Sequence, residues 1–356
     1  MPDQDNDTAP VQHRFEHHGT FKLESGRELP GFHLAYTTMG RLNPDGSNVV
    51  WVFHALTANS DPSEWWPGLV GKGKYFDPEQ WFIICVNMPG SCYGSIGPLD
   101  IDPRSGKPWY HDFPFFTPRD MVRAYMLLRD ALGIGRIFVG IGGSMGGQQL
   151  LEWAIEEPEA FHHIVPIATN AVHSPWGKAF NASQRMAIES DPTWKERSPD
   201  AGMNGMKVAR SIALLSYRNY ATYGATQQDM SGSLEGYRSE SYQRYQGEKL
   251  AKRFHAFSYH ALSKGMDAHD TGRGRPEGIH ALSRIRANTL VIGISSDILF
   301  PLEEQRFIAS HVPHAQEHHI HSDYGHDGFL LEFDKLTGLL RTFLEKKHTK
   351  TSSGSH

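Results

Sequence analysis

The chain has 356 residues, of which 39% are hydrophobic, enough to bury the core of one large α/β domain with an inserted subdomain. Its 35 Lys and Arg against 40 Asp and Glu give a formal charge of -5, which provides no electrostatic footprint for a nucleic acid or an anionic membrane. The only cysteines, Cys85 and Cys92, are too few for a disulfide scaffold and favour a reducing compartment.

The two ends of the chain are polar. The amino-terminal sequence has neither a basic start nor an apolar core, so it does not have the pattern of a secretory signal. No apolar run approaches the roughly 20 residues that a membrane-spanning helix needs. We therefore expect a cytoplasmic protein with a disordered tail at residues 348–356.

Short apolar runs predict the strands. An alternation of apolar and polar residues from about Phe15 to Met39 predicts an antiparallel entry to a sheet. Five nearly continuous apolar runs then predict strands covered on both faces, as in a parallel sheet. These runs are Val49–Phe53, Trp81–Val86, Ile137–Ile141, Ile164–Ile167 and Thr289–Ile294.

Helical patterns alternate with these strands. Pro118–Leu132 has Thr117 as a candidate N-cap, Pro118 in its first turn and Gly133 as its stop. Gln148–Glu156 predicts another helix. The alternation predicts an α/β fold with a doubly wound, mostly parallel sheet.

A long segment interrupts the alternation. Residues 173–284 contain no buried-strand pattern, and stretches such as Ser239–Phe257 are polar and helix-prone. We expect a helical lid inserted between two core strands, above the strand ends where an open α/β sheet places its site. The core would then comprise residues 1–172 and 285–347.

Gly142-Gly143-Ser144-Met145-Gly146 matches the G-x-S-x-G nucleophile elbow. The small residues on either side of the serine allow the sharp strand-to-helix turn that exposes its Oγ. An ordinary Gly-rich turn can have the same letters. The apolar run before this motif and the helical pattern after it favour the elbow.

An activated serine needs a base, and the base needs a carboxylate. Asp297 follows the predicted strand Thr289–Ile294 by two serines, although a solvated turn aspartate would look alike. His326 lies in a glycine-flanked loop near the end of the chain. The order Ser144, Asp297, His326 is the order of triads built on nucleophile elbows, and it distinguishes His326 among 21 histidines.

The oxyanion of such a reaction needs two backbone amides. Met145 would supply one, and the second is expected from the loop His54–Thr57, in which the His54 side chain itself is expected to be packed. A histidine cluster at residues 318, 319 and 321 lacks a plausible set of Cys or carboxylate partners. We therefore predict no metal site there.

Seven stretches together carry a more specific signal than the elbow alone. They are His54–Thr57, Asn87–Pro98, Asp112–Val122, Gly142–Gln149, Ala179–Ile188, Tyr245–Lys249 and Tyr324–Leu330. This combination resembles the homoserine O-acetyltransferases of the α/β-hydrolase superfamily. The similarity runs from about Gly19 to Leu344, and general esterases do not share the segment 87–122.

The resemblance implies an α/β-hydrolase fold and a set of site residues. The implied set comprises Ser144, Asp297 and His326 as the triad, the Leu56 and Met145 amides as the oxyanion hole, Arg210 and Tyr217 for the carboxylate of an amino acid, Asp327 for its amino group, and Thr57 near the pocket. A guanidinium grips a carboxylate through two parallel hydrogen bonds, and a carboxylate beside the base suits an ammonium. Arg210 as a surface helix residue and Asp327 as a loop cap are the alternatives.

The resemblance also implies the reaction. An acetyl group would pass from acetyl-CoA, a co-substrate rather than a cofactor, through Ser144 to the hydroxyl of L-homoserine in methionine biosynthesis. A homodimer paired through the lid is implied too. Succinyl-CoA as donor, serine as acceptor, a general serine esterase and a noncatalytic binding protein remain alternatives. One departure is the polar segment Asp267–Glu277, which lengthens the insertion and makes the lid edge less certain.

Overall fold

Within residues 8–230, 232 and 234–345, which the computed structural model describes, eight strands form the central sheet and two pairs of short strands lie outside it. The strands are β1 (Val11–His17), β2 (Phe21–Lys22), β3 (Glu28–Leu29), β4 (Phe32–Met39), β5 (Val49–Phe53), β6 (Phe82–Val86), β7 (Ile101–Asp102), β8 (Lys107–Pro108), β9 (Ile137–Gly143), β10 (Phe161–Ile167), β11 (Asn288–Ile294) and β12 (Ala315–Ile320). The predicted tail, 348–356, is outside the described residues.

The helices occur between and after the strands. They are α1 (Pro62–Trp65), α2 (Pro118–Ala131), α3 (Met145–Glu156), α4 (Pro175–Glu189), α5 (Met203–Tyr217), α6 (Tyr220–Gln227), α7 (Arg238–Ala251), α8 (Ala256–Asp267), α9 (Leu302–His311), α10 (Gly328–Leu331) and α11 (Phe333–Leu344), with 3-10 turns at Tyr110–Asp112, Gly278–Arg284 and Gly325–Asp327. No helix in the described part of the chain is long and apolar enough to cross a membrane.

The sheet is mostly parallel. Its order is β1-β4-β6-β5-β9-β10-β11-β12. β4 pairs antiparallel with both β1 and β6, and every later pairing, from β6–β5 to β11–β12, is parallel. The predicted α/β fold with an antiparallel entry and a doubly wound sheet is therefore confirmed.

Hydrophobic clusters on both faces of the sheet account for the apolar runs. All five residues of β5 are buried. Trp51 packs edge-on against Trp153 of α3, with ring centroids 4.8 Å apart, on one face. Its neighbour Val52 belongs to the cluster of Trp66 and Leu336 on the other face, because successive strand residues point in opposite directions. A strand covered twice needs apolar residues at every position.

Local hydrogen bonds define the limits of α2. Thr117 and Asp120 form a reciprocal capping box at its start, with Pro118 in the first turn. The helix ends at Ala131, one residue before the predicted end, and Gly133 follows with φ of 67°. The predicted boundaries of this helix thus depend on short-range interactions that its sequence contains.

The start of α3 was predicted three residues late. The helix begins at Met145, directly after Ser144, and includes Gly146 and Gly147 in its first turn. A Cβ at Gly147 would lie 2.6 Å from the Thr169 side chain. Packing against the sheet therefore requires glycine in a helical turn, where intrinsic propensity disfavours it.

Among the described residues between β10 and β11 lie five helices, α4 to α8, in the range expected for the lid. The helix-prone stretch 239–257 is divided between α7 and α8, because His255 caps α8 by accepting a hydrogen bond on Nδ1 from the Ser258 amide at 3.1 Å. An isolated antiparallel bridge joins Val172 to Asp270 at the base of this region. The domain limits at residues 173 and 284 stay a prediction.

The polar segment Asp267–Glu277 lies against the core. Arg275 Nη2 pairs with Glu152 Oε2 at 2.8 Å and with Glu156 Oε1 at 2.6 Å, both on α3. Arg119 of α2 pairs with the same Glu152 oxygen at 3.0 Å. Burial raises the pKa of the Glu152 carboxyl, and the two guanidinium groups oppose that rise. These ion pairs fasten the end of the lid region to the two helices beneath it.

We expect Arg275→Met to lower the free energy of unfolding by about 3 kcal/mol, because the substitution leaves the buried Glu152 with only Arg119 as its partner. Urea unfolding followed by fluorescence measures the loss. Arg244→Met is the matched control, since Arg244 and its partner Glu240 are both exposed on α7; it should cost less than about 1 kcal/mol. Equal losses in the two variants would contradict this role of the segment.

Candidate active site

Ser144 occupies a strained turn between β9 and α3. Its φ of 56° and ψ of -126° are unusual for a residue with a side chain. A Cβ at Gly142 would lie 2.7 Å from the Gly146 carbonyl carbon, and a Cβ at Gly146 would lie 2.1 Å from the Phe53 carbonyl oxygen. Close backbone contacts on both sides of the serine therefore require glycine at the two outer positions of the predicted elbow motif.

Asp297 and His326 form a buried hydrogen-bonded pair. Asp297 follows β11, and one of its carboxylate oxygens, Oδ1, accepts hydrogen bonds from the amides of Leu299 at 2.8 Å and Phe300 at 2.9 Å. Its other oxygen, Oδ2, is 2.6 Å from His326 Nδ1. This contact places the proton on Nδ1 and leaves the lone pair of Nε2 free, as a general base requires.

The two serines before Asp297 hold its loop to the loop of His326. Ser295 Oγ accepts from the Ser322 amide at 3.2 Å. Ser296 Oγ donates to the Ser322 carbonyl and accepts from the Gly325 amide at 3.0 Å. The serines therefore connect the loop after β11 to the loop after β12, which fixes the separation of the carboxylate and the imidazole.

Aromatic rings enclose the His326 imidazole. Phe300 stacks on it with centroids 5.1 Å apart, Phe329 meets it edge-on at 5.3 Å, and Tyr217 lies at 5.6 Å. His326 is consequently buried, with 4% of its surface exposed. The ring has little freedom to turn away from Asp297.

Two backbone amides near Ser144 lack acceptors. Met145 is the first residue of α3, where an amide has no carbonyl one turn earlier. The amide of Leu56, in the loop after β5, donates no hydrogen bond to any described residue. Both amides are thus available to an acceptor in the cavity, and their role as an oxyanion hole stays a prediction.

His54 organises the loop that contains Leu56. Its Nε2 accepts a hydrogen bond from the Met88 amide at 3.0 Å, and its Nδ1 donates to the Ala55 carbonyl at 2.9 Å. Burial lowers the pKa of His54 to about 4, against the smaller opposing effect of the Ala55 carbonyl. The neutral ring therefore joins the end of β5 to the end of β6, and it is packed as expected.

A cavity of about 480 Å³ contains most of the predicted site. Seven of the nine predicted residues line it, namely Leu56, Thr57, Ser144, Arg210, Tyr217, His326 and Asp327. Asp297 lies behind His326, and Met145 lies beside Ser144 below the cavity floor. Ser144 Oγ makes no hydrogen bond with another side chain of the described residues, so its hydroxyl is available within this cavity.

Two of the charged groups of the cavity, Arg210 and Asp327, come from α5 and from the His326 loop. Arg210 lies over the Tyr217 ring, 5.5 Å from its centroid, and makes neither an ion pair nor a hydrogen bond with any described residue. Burial raises the pKa of the Tyr217 phenol, and the Arg210 charge opposes this effect. Burial also raises the pKa of Asp327, chiefly against the charge of Arg218. The cavity thus offers an unpaired guanidinium, a phenol that stays protonated and a carboxyl group.

The histidine cluster near the end of the sheet contributes nothing to this cavity. His318 and His319 are successive residues of β12 and so point to opposite faces, as predicted. In the described ranges, no group of three or more His, Cys, Asp or Glu side chains is arranged to hold a metal ion.

Comparison with known proteins places this site in a family. A family model for the α/β-hydrolase fold matches residues 48–333. Homoserine O-acetyltransferase from Cyclobacterium marinum is 49% identical over 321 residues, covering 90% of this chain and 92% of that protein. The same enzyme from Salinibacter ruber is 40% identical over 334 residues, covering 91% and 95%. The chain belongs to the homoserine O-acetyltransferase family. The resemblance predicted from the sequence is thereby confirmed.

Solved structures agree on the α/β-hydrolase fold. The crystal structure of homoserine O-acetyltransferase from Bacillus anthracis matches with a TM-score of 0.89 at 25% identity, over 96% of this chain and 99% of that chain. Esterase E22 matches with a TM-score of 0.84 at 21% identity, over 94% and 100%. The esterase likeness concerns the fold alone.

Some charged residues at or next to this cavity were not predicted from the sequence: Arg253 and Glu64 line it, and Arg218 pairs with Asp327 of its lining. Arg218 directly follows Tyr217, so the same stretch contained its signal. Arg253 lines the cavity and donates from Nη1 to the Thr57 carbonyl at 2.6 Å and to the Tyr93 hydroxyl. Glu64 lines it too, but no local pattern distinguishes Arg253 or Glu64 from surface residues.

We expect the stability contributed by His54 to depend on pH. Its folded pKa of about 4 is below the usual value near 6.5, so the unfolded chain binds the extra proton as the pH falls between these values. The contribution is complete above about pH 6.5 and is lost toward pH 4. Urea unfolding should therefore show wild type exceeding His54→Gln by more at pH 7 than at pH 5.

The exposed His18 provides the control, because His18→Gln removes a histidine that makes no comparable buried contact. The difference between wild type and His18→Gln should change little over the same pH range. A difference for His54→Gln that stays constant from pH 7 to pH 5 would contradict a buried neutral imidazole.

Proposed function

We propose that this chain transfers an acetyl group from acetyl-CoA to the hydroxyl of L-homoserine through an acyl-Ser144 intermediate. The observation that carries the proposal is the content of one cavity. Ser144 and His326 share it with an unpaired guanidinium, Arg210, and a carboxyl group, Asp327. A zwitterionic acceptor complements those two charges, and the names of the relatives support homoserine and acetate as the acceptor and the acyl group.

In the first half-reaction, His326 Nε2 takes the proton of the Ser144 hydroxyl as Oγ attacks the thioester carbon of acetyl-CoA. The amides of Leu56 and Met145 hold the oxygen that becomes negative, and Asp297 stabilises the imidazolium that forms. The tetrahedral intermediate collapses by breaking its C–S bond. His326 returns the proton to the departing sulfur, and acetyl-Ser144 remains.

In the second half-reaction, the acceptor enters with its carboxylate on Arg210 and Tyr217 and its ammonium on Asp327. A guanidinium binds a carboxylate through two parallel hydrogen bonds, and a protonated phenol can donate a third. His326 Nε2 then removes the proton of the homoserine hydroxyl, whose oxygen attacks the acetyl carbon. Release of Ser144 Oγ, reprotonated by His326, yields O-acetylhomoserine.

The proposal also includes a role for Thr57, the cofactor requirement, the cellular context and the oligomeric state. Thr57 lines the cavity next to Leu56 and would contact the bound substrate. Acetyl-CoA is a co-substrate and no further cofactor is needed. The product would serve methionine biosynthesis in the cytoplasm. Pairing of two copies through the lid is supported by exposed apolar side chains on α4 and α5: Trp176, Met186, Val208 and Leu215.

Intact-mass measurement tests the donor and the acceptor together. We expect the protein mixed with acetyl-CoA to gain the mass of one acetyl group and to lose it when L-homoserine is added, with O-acetylhomoserine appearing. Succinyl-CoA and L-serine should each give much less labelling or release. Their preference over acetyl-CoA or homoserine would replace the donor or the acceptor in the proposal.

Two further arms test the nucleophile and hydrolysis. Ser144→Ala should gain no acyl group, whereas Ser183→Ala, a surface change on α4, should label like wild type. Labelling that persists in Ser144→Ala rejects the mechanism. Loss of the adduct to water at the same rate with and without homoserine indicates an esterase, and the absence of any adduct indicates a binding protein.

We expect Arg210→Ala to raise the KM for homoserine about 10- to 100-fold, because hydrogen bonds to a charged group contribute about 1.5–3 kcal/mol. Acetylation of Ser144 should proceed in this variant, since the guanidinium contacts the acceptor only. Arg306→Ala, an exposed change on α9, is the control. Equal losses in both half-reactions would contradict a role for Arg210 in acceptor binding.

A further inference from the structure

A second arginine, just after the end of α5, contacts the carboxylate proposed to bind the acceptor ammonium. Arg218, the residue that follows α5, pairs through Nη1 with Asp327 Oδ2 at 3.2 Å. Its Nη2 donates to the Tyr242 hydroxyl at 3.3 Å, and its Nε is buried without a hydrogen-bond partner in the described residues. The buried, unsatisfied Nε donor costs free energy, so the position of this guanidinium is not explained by its own hydrogen bonds.

The backbone keeps this arginine next to the His326 loop. A Cβ at Gly325 would lie 2.7 Å from the Tyr217 carbonyl oxygen and 2.9 Å from the Arg218 carbonyl carbon. The end of α5 and the start of the 3-10 turn with His326 and Asp327 are therefore in direct backbone contact. The main chain of Arg218 is therefore held beside the turn that contains Asp327.

The two oxygens of Asp327 have different surroundings. Oδ2 pairs with Arg218, whereas Oδ1 makes no hydrogen bond with any described residue, and the side chain is only 17% exposed. Asp327 also lines the cavity that contains Ser144. One oxygen is thus held from behind by the guanidinium while the other stays available to a cation in the cavity.

Several charges act on this carboxyl group. Burial is the largest influence and raises the pKa of Asp327; Arg218, then His326 and Arg210, lower it, and Asp297 raises it further. The phenol of Tyr217 faces it from α5. Because His326 and Arg210 have other roles in the proposed reaction, Arg218 is the cation whose described side-chain contacts are with Asp327 and the Tyr242 hydroxyl.

We propose that Arg218 is a positioning residue that keeps the Asp327 carboxylate ionised and directed into the cavity, so that its free oxygen binds the ammonium of the amino-acid acceptor. The two arginines of this region then have separate tasks: Arg210 contacts the acceptor carboxylate, and Arg218 acts through Asp327. This inference rests on the proposed function, since it concerns the acceptor of that reaction.

The test measures binding without chemistry. L-2-Aminobutyrate has the carboxylate and ammonium of homoserine but no hydroxyl, so it can occupy the acceptor site and cannot be acylated. Its inhibition constant against homoserine should rise as the pH falls and Asp327 takes up a proton, by tenfold for each pH unit below the apparent pKa. We call this rise at low pH the acidic limb of the profile. In Arg218→Gln the acidic limb should begin about one pH unit higher or more, because an adjacent opposite charge lowers a carboxyl pKa by about 1 to 3.

Two variants distinguish the charge from the shape of Arg218. Arg218→Lys keeps the cation and should restore most of the wild-type profile. Arg244→Gln removes an arginine from the exposed face of α7 and should leave the profile unchanged. Uptake of acetyl by Ser144 reports whether each variant is folded. A limb that stays in place in Arg218→Gln, or loss of acetyl uptake in that variant and in Arg218→Lys alike, overturns the proposal in favour of a structural role.

A double-mutant cycle tests whether Arg218 acts through Asp327. Asp327→Asn should weaken aminobutyrate binding and remove the acidic limb, and Arg218→Gln should add little in that background. Independent, multiplying effects of the two substitutions would overturn the proposal. If wild-type acetyl-Ser144 is not discharged by any amino acid, the proposed function fails and this inference fails with it. Discharge by homoserine with an unmoved limb in Arg218→Gln rejects this inference alone.

Discussion

The contact between the end of β5 and the first turn of α3 is the constraint on which the site depends. A Cβ on Gly146 would lie only 2.1 Å from the Phe53 carbonyl oxygen, so only glycine fits there. That approach sets the loop after β5, with the Leu56 amide, beside Ser144 and Met145. One backbone contact therefore brings together the nucleophile and both amides available to an oxyanion. His54 supports the same loop from within by bonding to the Met88 amide.

Parts of the site that follow from local pattern were predictable from the sequence. The elbow and the loop of Asp297 each follow an apolar run, and the carboxyl ends of parallel strands meet at one edge. The loop of His326 follows β12, whose polar sequence gave no strand signal, so His326 was identified by its order in the chain. The cavity residues of α5 were reached only through family resemblance, because a polar helix in an insertion has no pattern that says which face meets the core. Arg218 was missed for the same reason, since its partner Asp327 lies beyond two further strands.

The segment 267–277 shows that polar composition alone does not predict whether charged side chains are buried. Its polar sequence left the edge of the lid uncertain, and the structure shows the Arg275 side chain buried against Glu152 and Glu156 of α3. Polar sequence indicates exposure only when its charges remain in water. Paired across elements, the same charges can be buried, and such pairing between distant residues cannot be seen in a single sequence. The start of α3 at Met145 was missed similarly, because tertiary packing there overrides the low helix propensity of two glycines.

The proposed transfer reaction assigns different tasks to the core and to the helices between β10 and β11. Ser144, Asp297 and His326 belong to strand ends and loops of the core, which this chain shares in outline with esterase E22. In the proposed reaction, those residues form the acyl-enzyme but do not select between water and an alcohol. The choice requires that an alcohol be held close to the acyl carbon, where orientation raises its effective concentration above that of competing water. The groups proposed to hold the zwitterion, Arg210, Tyr217 and Asp327, come from α5 and from the residue after His326. In this proposal, acceptor choice depends on the backbone contact between the end of α5 and Gly325.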